Sequence, residues 1–310
     1  MSTVLTLPER CRLCGSAMLR ERGNKRGKFR PLDFHFYECD SCSFLFVAPV
    51  VGSEIYNDSY YRGDGPDPLV DYESEYRNYA MTPRNYEFVD LYRLTKDHWQ
   101  MRAGALREGP IRWLDFGCGA GGLLKFLRDR KTVRVQGQER NIEASGYDVG
   151  SYADNLKTID KLKIWNWQEL EKLPPGYFQI ITCIEVVEHL PEPLPVIELL
   201  ARLLAPDGLL LLTTGNLRSP LARLMGINFP YCVPEIHVSY FTPHALKYAY
   251  DKVGLRPVKI QFLDGLRFKF LKNVAPLLPP RLTQAFSRST ILLRVLDFLY
   301  GVSAMPSASK

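Results

Sequence analysis

The sequence predicts an α/β fold on a mostly parallel sheet, preceded by a small cysteine-rich module. Three observations predict it. Residues 111–130 run from a short apolar strand through a glycine-rich turn into an amphipathic helix. Apolar strand-like runs then alternate with helical periodicity, the pattern of successive βα units. Near the N-terminus stand two C-x-x-C pairs, Cys11/Cys14 and Cys39/Cys42.

The cysteine pairs come first along the chain. A C-x-x-C turn sets two thiolates on one side of a tight loop, and two such turns supply the tetrahedral sulfur shell that zinc favours. Gly15 after the first pair allows the backbone conformation such a turn needs. The 24 residues between Cys14 and Cys39 include Phe34, Phe36 and Tyr37 in a strand-like pattern. The expectation is a zinc-ribbon-like module with Cys11, Cys14, Cys39 and Cys42 as ligands. Four sulfurs leave no open position for water, so the zinc reads as structural. The basic stretch Arg20–Arg30 is a candidate phosphate contact or a solvated loop.

Residues 51–108 are rich in tyrosine, and a helical pattern begins at Pro83 with Tyr86, Val89, Tyr92 and Leu94 among its inward candidates. This segment reads as a linker and lid helix. From Ile111 the strand ends in Asp115-Phe-Gly117-Cys118-Gly119-Ala-Gly121-Gly122. Glycines let the backbone approach a ligand, and the following helix offers its N-terminal N–H groups. A second strand is expected at Val133–Gln138, ending in Glu139, twenty positions after Gly119, as a ribose-binding carboxylate. Gly117, Gly119 and Gly122 also satisfy G-x-G-x-x-G, which keeps a nicotinamide dinucleotide enzyme open. A third strand ends in Glu185-Val-Val-Glu188-His189-Leu190. A helix at Pro195–Leu204 and the turn Ala205–Gly208 lead to a strand at Leu209–Thr214.

In combination these motifs resemble the class I S-adenosylmethionine (SAM)-dependent methyltransferases over roughly residues 111–262. The resemblance implies a Rossmann-like, seven-stranded methyltransferase sheet with SAM as cofactor. It implies that Asp115, Gly117, Cys118 and Gly119 line the methionine end and that Glu139 holds the ribose. Asn166 and Trp167 pack near the adenine, and Glu185 belongs to the same site. The chain departs from the family pattern at Asn166 and Gln179, where Asp is usual. With its cysteine pairs, the chain is similar to methyltransferases carrying an N-terminal zinc-binding domain, including sugar C-methyltransferases, though a counterpart of their extra C-terminal domain is not expected here. His237-Val-Ser-Tyr240-Phe241 is similar to their acceptor-facing motif. That makes His237 the first candidate general base and His189 the second. Pro234 and Ile236 replace the tyrosine and the acidic residue of that motif.

The remaining expectations concern the ends and the partners. A helix capped by Thr242, with Pro243 in its first turn, is expected to run to Val253. Two closing strands are expected at Lys259–Leu263 and Arg267–Phe270. From Arg256 onward nine Lys/Arg face two Asp/Glu, and Leu282–Leu299 reads as a basic amphipathic helix. It would suit docking on the core or peripheral contact with an anionic membrane. Residues 303–310 are expected to be disordered. The boundaries are a zinc-binding module at 1–50, the linker at 51–108, the methyltransferase domain at 109–270 and the tail at 271–310. No apolar signal core and no run of about twenty apolar residues is present, so the expected location is cytoplasmic, with the tail at the inner face of the membrane. The expected acceptor is a small molecule, such as a sugar, cell-envelope or secondary-metabolite precursor. An RNA methyltransferase using the zinc module to hold RNA, and a non-catalytic SAM-fold binding protein, stay open as alternatives.

Overall fold

The computed structural model describes residues 8–51, 72–82, 84–100, 109–135, 137–150, 152–262 and 304–309. The larger sheet takes its central strand from β4 (Ile111–Phe116), the apolar run before the glycine turn. Strands β1 (Leu19–Arg26), β2 (Asp33–Cys39), β3 (Leu45–Ala48) and, far along the chain, β10 (Ser239–Tyr240) form a separate four-stranded sheet in that order.

The strands of the larger sheet are β5 (Thr132–Val135), β6 (Gln138–Tyr147), β7 (Lys163–Trp165), β8 (Phe178–Ile184), β9 (Leu204–Thr213), β11 (Arg256–Phe262) and β12 (Ala304–Ser309), with β4. Their order is β11-β12-β9-β8-β4-β6-β5, with β7 also paired to β6. Strands β4, β6, β7, β8 and β9 run parallel; β12 lies antiparallel between β9 and β11. Among the described residues the sheet has eight strands, where the resemblance implied seven. The eighth is the short β5, which folds back antiparallel on the first residues of β6.

Around it are α1 (Tyr72–Asn78), α2 (Arg84–Gln100), α3 (Gly122–Arg130), α4 (Tyr152–Thr158), α5 (Trp167–Lys172), α6 (Pro193–Leu203), α7 (Pro220–Met225) and α8 (Pro243–Lys252). The central strands are apolar on both faces because helices cover both. Ile111 and Trp113 of β4 pack with Phe88 and Leu91 of α2 and Leu123, Phe126 and Leu127 of α3. The alternate residues Leu114 and Phe116 join the core on the other face, with Ile197 and Leu200 of α6 and Tyr250 of α8.

Two expectations change. The predicted strand at Val133–Gln138 is broken by a turn at Gly137 (φ 82°) into β5 and the start of β6. The predicted disorder at 303–310 gives way to a strand at Ala304–Ser309, because β9 offers an unpaired edge there. In the N-terminal part, Cys11, Leu13, Cys39, Cys42, Phe44 and Phe46 share one core with α6 and α8. The expected strand at Arg267–Phe270 and the tail helix lie outside the described residues. Among the described residues no helix is long and apolar enough to cross a membrane.

Candidate active site

The C-terminal ends of the parallel strands meet at the glycine turn after β4. The N–H groups of Gly117 and Cys118 both donate to Tyr147 O, at 2.7 and 3.0 Å, which ties the turn to the end of β6. Gly117 has φ 81°, and a Cβ there would lie 2.2 Å from Val186 Cγ2. Gly119 has φ 50°, and a Cβ would meet the Tyr72 ring at 2.5 Å. Only glycine satisfies both backbone and space at these positions.

Three carboxylates surround the turn. Asp115 is buried at the end of β4 and accepts the Thr182 hydroxyl at 2.8 Å. Burial pushes its carboxyl up to about 7, partly offset by the Thr182 hydrogen bond and by Arg84. Glu75 of α1 accepts Gly122 N–H at 3.1 Å and pairs with Arg84 Nε at 3.3 Å. Asp148, directly after β6, accepts Gly119 N–H through Oδ2 and Gly150 N–H through Oδ1, each at 2.7 Å. Burial raises its carboxyl, and these two backbone bonds oppose that rise.

Glu139 is not among them. It sits near the start of β6, opposite Arg134 on β5, exposed and 3.8 Å from that guanidinium. The parallel part of β6 begins only at Ile142, so the strand's C-terminal acid is Asp148. The hairpin at Gly137 inserts the extra residues that mislead a count from Gly119. A local feature marks the end of β6. Gly146, two residues before Asp148, has no room for a side chain: a Cβ would lie 2.7 Å from Cys118 Sγ.

Asn166 and Trp167 follow β7 beside the end of β6. With Tyr147, Asp148, Val149, Ile164 and Trp165 they line a cleft of about 280 Å³. Asn166 caps α5: its Oδ1 accepts Glu169 N–H at 2.9 Å while Glu169 Oε2 accepts Asn166 N–H at 2.8 Å. The Trp167 ring lies 5.9 Å from Tyr147. Asp115, Gly117, Cys118 and Gly119 line a second, smaller space of about 10 Å³ with Tyr72, Glu75 and Arg84. Those last three were missed at residue level; the tyrosine-rich segment announced a lid but not which groups face the turn. Gln179, in place of the usual Asp, keeps a local bond by accepting Arg112 N–H at 2.9 Å.

Beyond β8 the backbone turns at Glu185, whose φ is 51°. Its N–H donates to Thr213 Oγ1 at 3.0 Å. Glu188 is fully buried, and Tyr231 O–H donates to its Oε1 at 2.6 Å. Burial, followed by the nearby Glu185, raises its carboxyl well above the usual range. His189 Nδ1 lies 2.9 Å from Ile236 O, and His237 Nδ1 lies 2.7 Å from Tyr231 O. The two imidazole centroids are 5.0 Å apart. The candidate acceptor-side histidines are therefore brought together.

The four cysteine sulfurs also converge. Cys11 and Cys42 Sγ lie 3.7 Å apart, Cys14 and Cys39 Sγ 3.4 Å. A tetrahedral shell with zinc–sulfur bonds of about 2.3 Å spaces its sulfurs by about 3.8 Å, so the donor set fits that metal. This cluster is joined to the acceptor wall. Strand β3 pairs with β10 in the register Ser239↔Phe46 and Tyr240↔Leu45. Val47 N–H donates to Val238 O at 3.1 Å, Phe29 N–H donates to Glu235 at 2.9 Å, and Phe44 meets Phe241 edge-on at 5.0 Å. Within the basic stretch, Arg20 and Arg22 pair with Glu38, Arg26 pairs with Asp33, and Lys25 donates to Cys232 O.

Comparison with known proteins agrees with this geometry. A ubiquinone biosynthesis O-methyltransferase of Dechloromonas aromatica is 35% identical over 143 residues, covering 46% of this chain and 60% of that protein. One from Neisseria meningitidis serogroup A is 31% identical over 108 residues, covering 34% and 44%. The matched segments thus span about half the length of these curated relatives. A SAM-dependent methyltransferase from Archaeoglobus fulgidus is a structural neighbour at TM-score 0.47 and 22% identity, covering 77% of this chain and 98% of its own. The family model described as a methyltransferase domain matches residues 89–260, more than half of the chain, and the protein belongs to that family.

Proposed function

We propose that this protein transfers a methyl group from S-adenosylmethionine to a small-molecule acceptor. The observation that carries the reading is the convergence of Asp148, Asp115 and the glycine turn at the ends of adjacent parallel strands, where such folds bind their ligands. When bound, S-adenosylmethionine supplies an electrophilic methyl group on a sulfonium sulfur. Asp148, beside a cleft of the right chemistry for an adenosine, is the group to hold the ribose hydroxyls. Val149, Asn166 and Trp167 line the wall for the base. Asp115, Glu75 and Arg84 present opposite charges to the ammonium and carboxylate of the methionine end.

His237 and His189 form the acceptor side. A carbonyl oxygen only accepts, so the Nδ1 of each ring donates and the neutral ring keeps its lone pair on Nε2. His237 as base is the simplest use of that lone pair. The acceptor is proposed to be a sugar or another cell-envelope or secondary-metabolite precursor, on the likeness of the zinc-domain architecture. The four cysteines are proposed to hold structural zinc.

Calorimetry tests the reading first. Binding of S-adenosylmethionine at micromolar concentration, with no heat from nicotinamide dinucleotides, is the expected result. The reverse would overturn it. Loss of one equivalent of zinc per chain in C39S/C42S is the expected result of metal analysis for the cysteine site.

A further inference from the structure

Glu188, His189 and His237 make a second donor cluster, unlike the four cysteines in chemistry and in place. One ligand atom from each lies within 4.8 Å of the other two. They come from two segments that the backbone holds together: Val238 N–H donates to Glu188 O at 2.8 Å, and Ser239 O–H donates to Leu190 O at 2.5 Å.

The carboxylate is the informative member. Glu188 is fully buried, and while Oε1 accepts the Tyr231 hydroxyl, Oε2 has no hydrogen-bond partner among the described residues. A buried carboxyl oxygen without a partner is unfavourable unless a cation or a donor meets it. Each imidazole has its Nδ1–H anchored on a backbone carbonyl, as metal-binding imidazoles commonly do, which makes Nε2 the basic nitrogen. The Tyr231 hydroxyl does the same for the carboxylate.

We propose that Glu188, His189 and His237 bind a divalent transition-metal cation of the zinc class, and that its open coordination position takes an oxygen of the methyl acceptor. Two nitrogens and one oxygen are the donor set of an open zinc site, whereas magnesium and calcium favour oxygen alone. The chain then carries two metal sites of opposite kinds: a closed sulfur site in the N-terminal sheet and an open site at the acceptor wall. The acceptor class narrows to hydroxyls and enolisable oxygens that a Lewis acid makes more acidic. With the cation bound the imidazoles are its ligands, and the proton that the coordinated acceptor oxygen loses passes to solvent. Only the identity of the open-position ligand rests on the methyltransferase reading; the binding of the cation does not.

Cobalt(II) is the probe, added to the chelator-stripped full-length protein. Two equivalents are expected to bind. One gives the intense near-ultraviolet charge-transfer bands of thiolate ligation, and the other adds only weak visible bands. The H189Q/H237Q variant is expected to lose the second equivalent, keep the first and still bind S-adenosylmethionine. In ¹⁵N-histidine-labelled wild-type protein, which needs no variant to fold, two imidazoles are expected to shift paramagnetically while those of His35, His98 and His244 do not. A wild-type protein that takes up only thiolate-bound cobalt, with no histidine shifted, overturns the proposal. Failure to bind S-adenosylmethionine with the cobalt results intact would instead remove the methyltransferase reading alone.

Discussion

The carboxylate of Asp148 accepts the N–H of Gly119 at 2.7 Å, across a gap of 29 positions in sequence. This bond joins the end of β6 to the glycine turn and positions the acid proposed to hold the ribose. Hydrogen bonds to charged groups contribute about 1.5–3 kcal/mol each. D148N is therefore expected to weaken S-adenosylmethionine binding by roughly 10- to 100-fold, measured by calorimetry. E139Q, at an exposed residue paired with Arg134, is expected to stay within about twofold of the wild type.

The buried Asp115 carboxyl gives the protein a pH dependence of definite sign. Its value, raised to about 7 by burial, means that the folded state keeps this proton longer than the unfolded chain. Its contribution to stability is full below the ordinary carboxylate range of about 4 and declines as pH rises to about 7. Asp148 and Glu188, also raised by burial, slope the same way. Urea unfolding of the ligand-free protein is expected to show falling stability over that window, with a shallower fall in D115N. Affinity for the cationic methyl donor is expected to run the opposite way and climb as pH passes about 7.

Metal removal is expected to reach beyond the N-terminal sheet. Stripping the cysteine site releases β3, and β3 holds β10 and the residues just after His237. Hydrogen exchange at residues 238–242 is expected to rise on chelation well before exchange in β8. The melting midpoint falls with it, at about 2–4 °C per kcal/mol lost for a protein of this size class. Unchanged exchange at 238–242 in metal-free protein would show that the two parts are independent.

Phe44 and Phe241 pack edge-on at 5.0 Å, both fully buried. Either Phe→Ala change is expected to cost about 3–5 kcal/mol. Because the rings touch, F44A/F241A is expected to cost less than the two separate losses together, by urea denaturation.

The Thr242 hydroxyl accepts Ala245 N–H at 3.1 Å at the start of α8. T242A is expected to lose about 1 kcal/mol, the usual worth of such a cap. Thermal melts monitored by circular dichroism suffice to check it.

Features that depend on neighbours in sequence were legible before any coordinates. The glycine turn, the strand before it, the Thr242 cap with Pro243 and the cysteine pairs all follow from local chemistry. Features set by pairing at a distance were not. Glu139 was chosen because an apolar alternation at Val133 and Val135 looks the same in a hairpin arm as in a parallel strand; only the partner tells them apart. The strand at Ala304–Ser309 is small and polar, and its form comes from the open edge of β9. Tyr72, Glu75 and Arg84 reach the turn from helices whose docking no periodicity encodes. Glu188 was read as part of a turn motif, while its burial against Tyr231 needs the fold.

The pairing of Phe46 with Ser239 links positions almost two hundred residues apart. During synthesis, β3 therefore emerges from the ribosome with one edge bare, and it waits for most of the polypeptide before its mate arrives. An unmatched apolar edge of that kind invites association with other nascent chains. Cellular yield of this protein should accordingly depend on chaperone supply and translation speed more than its finished stability would suggest.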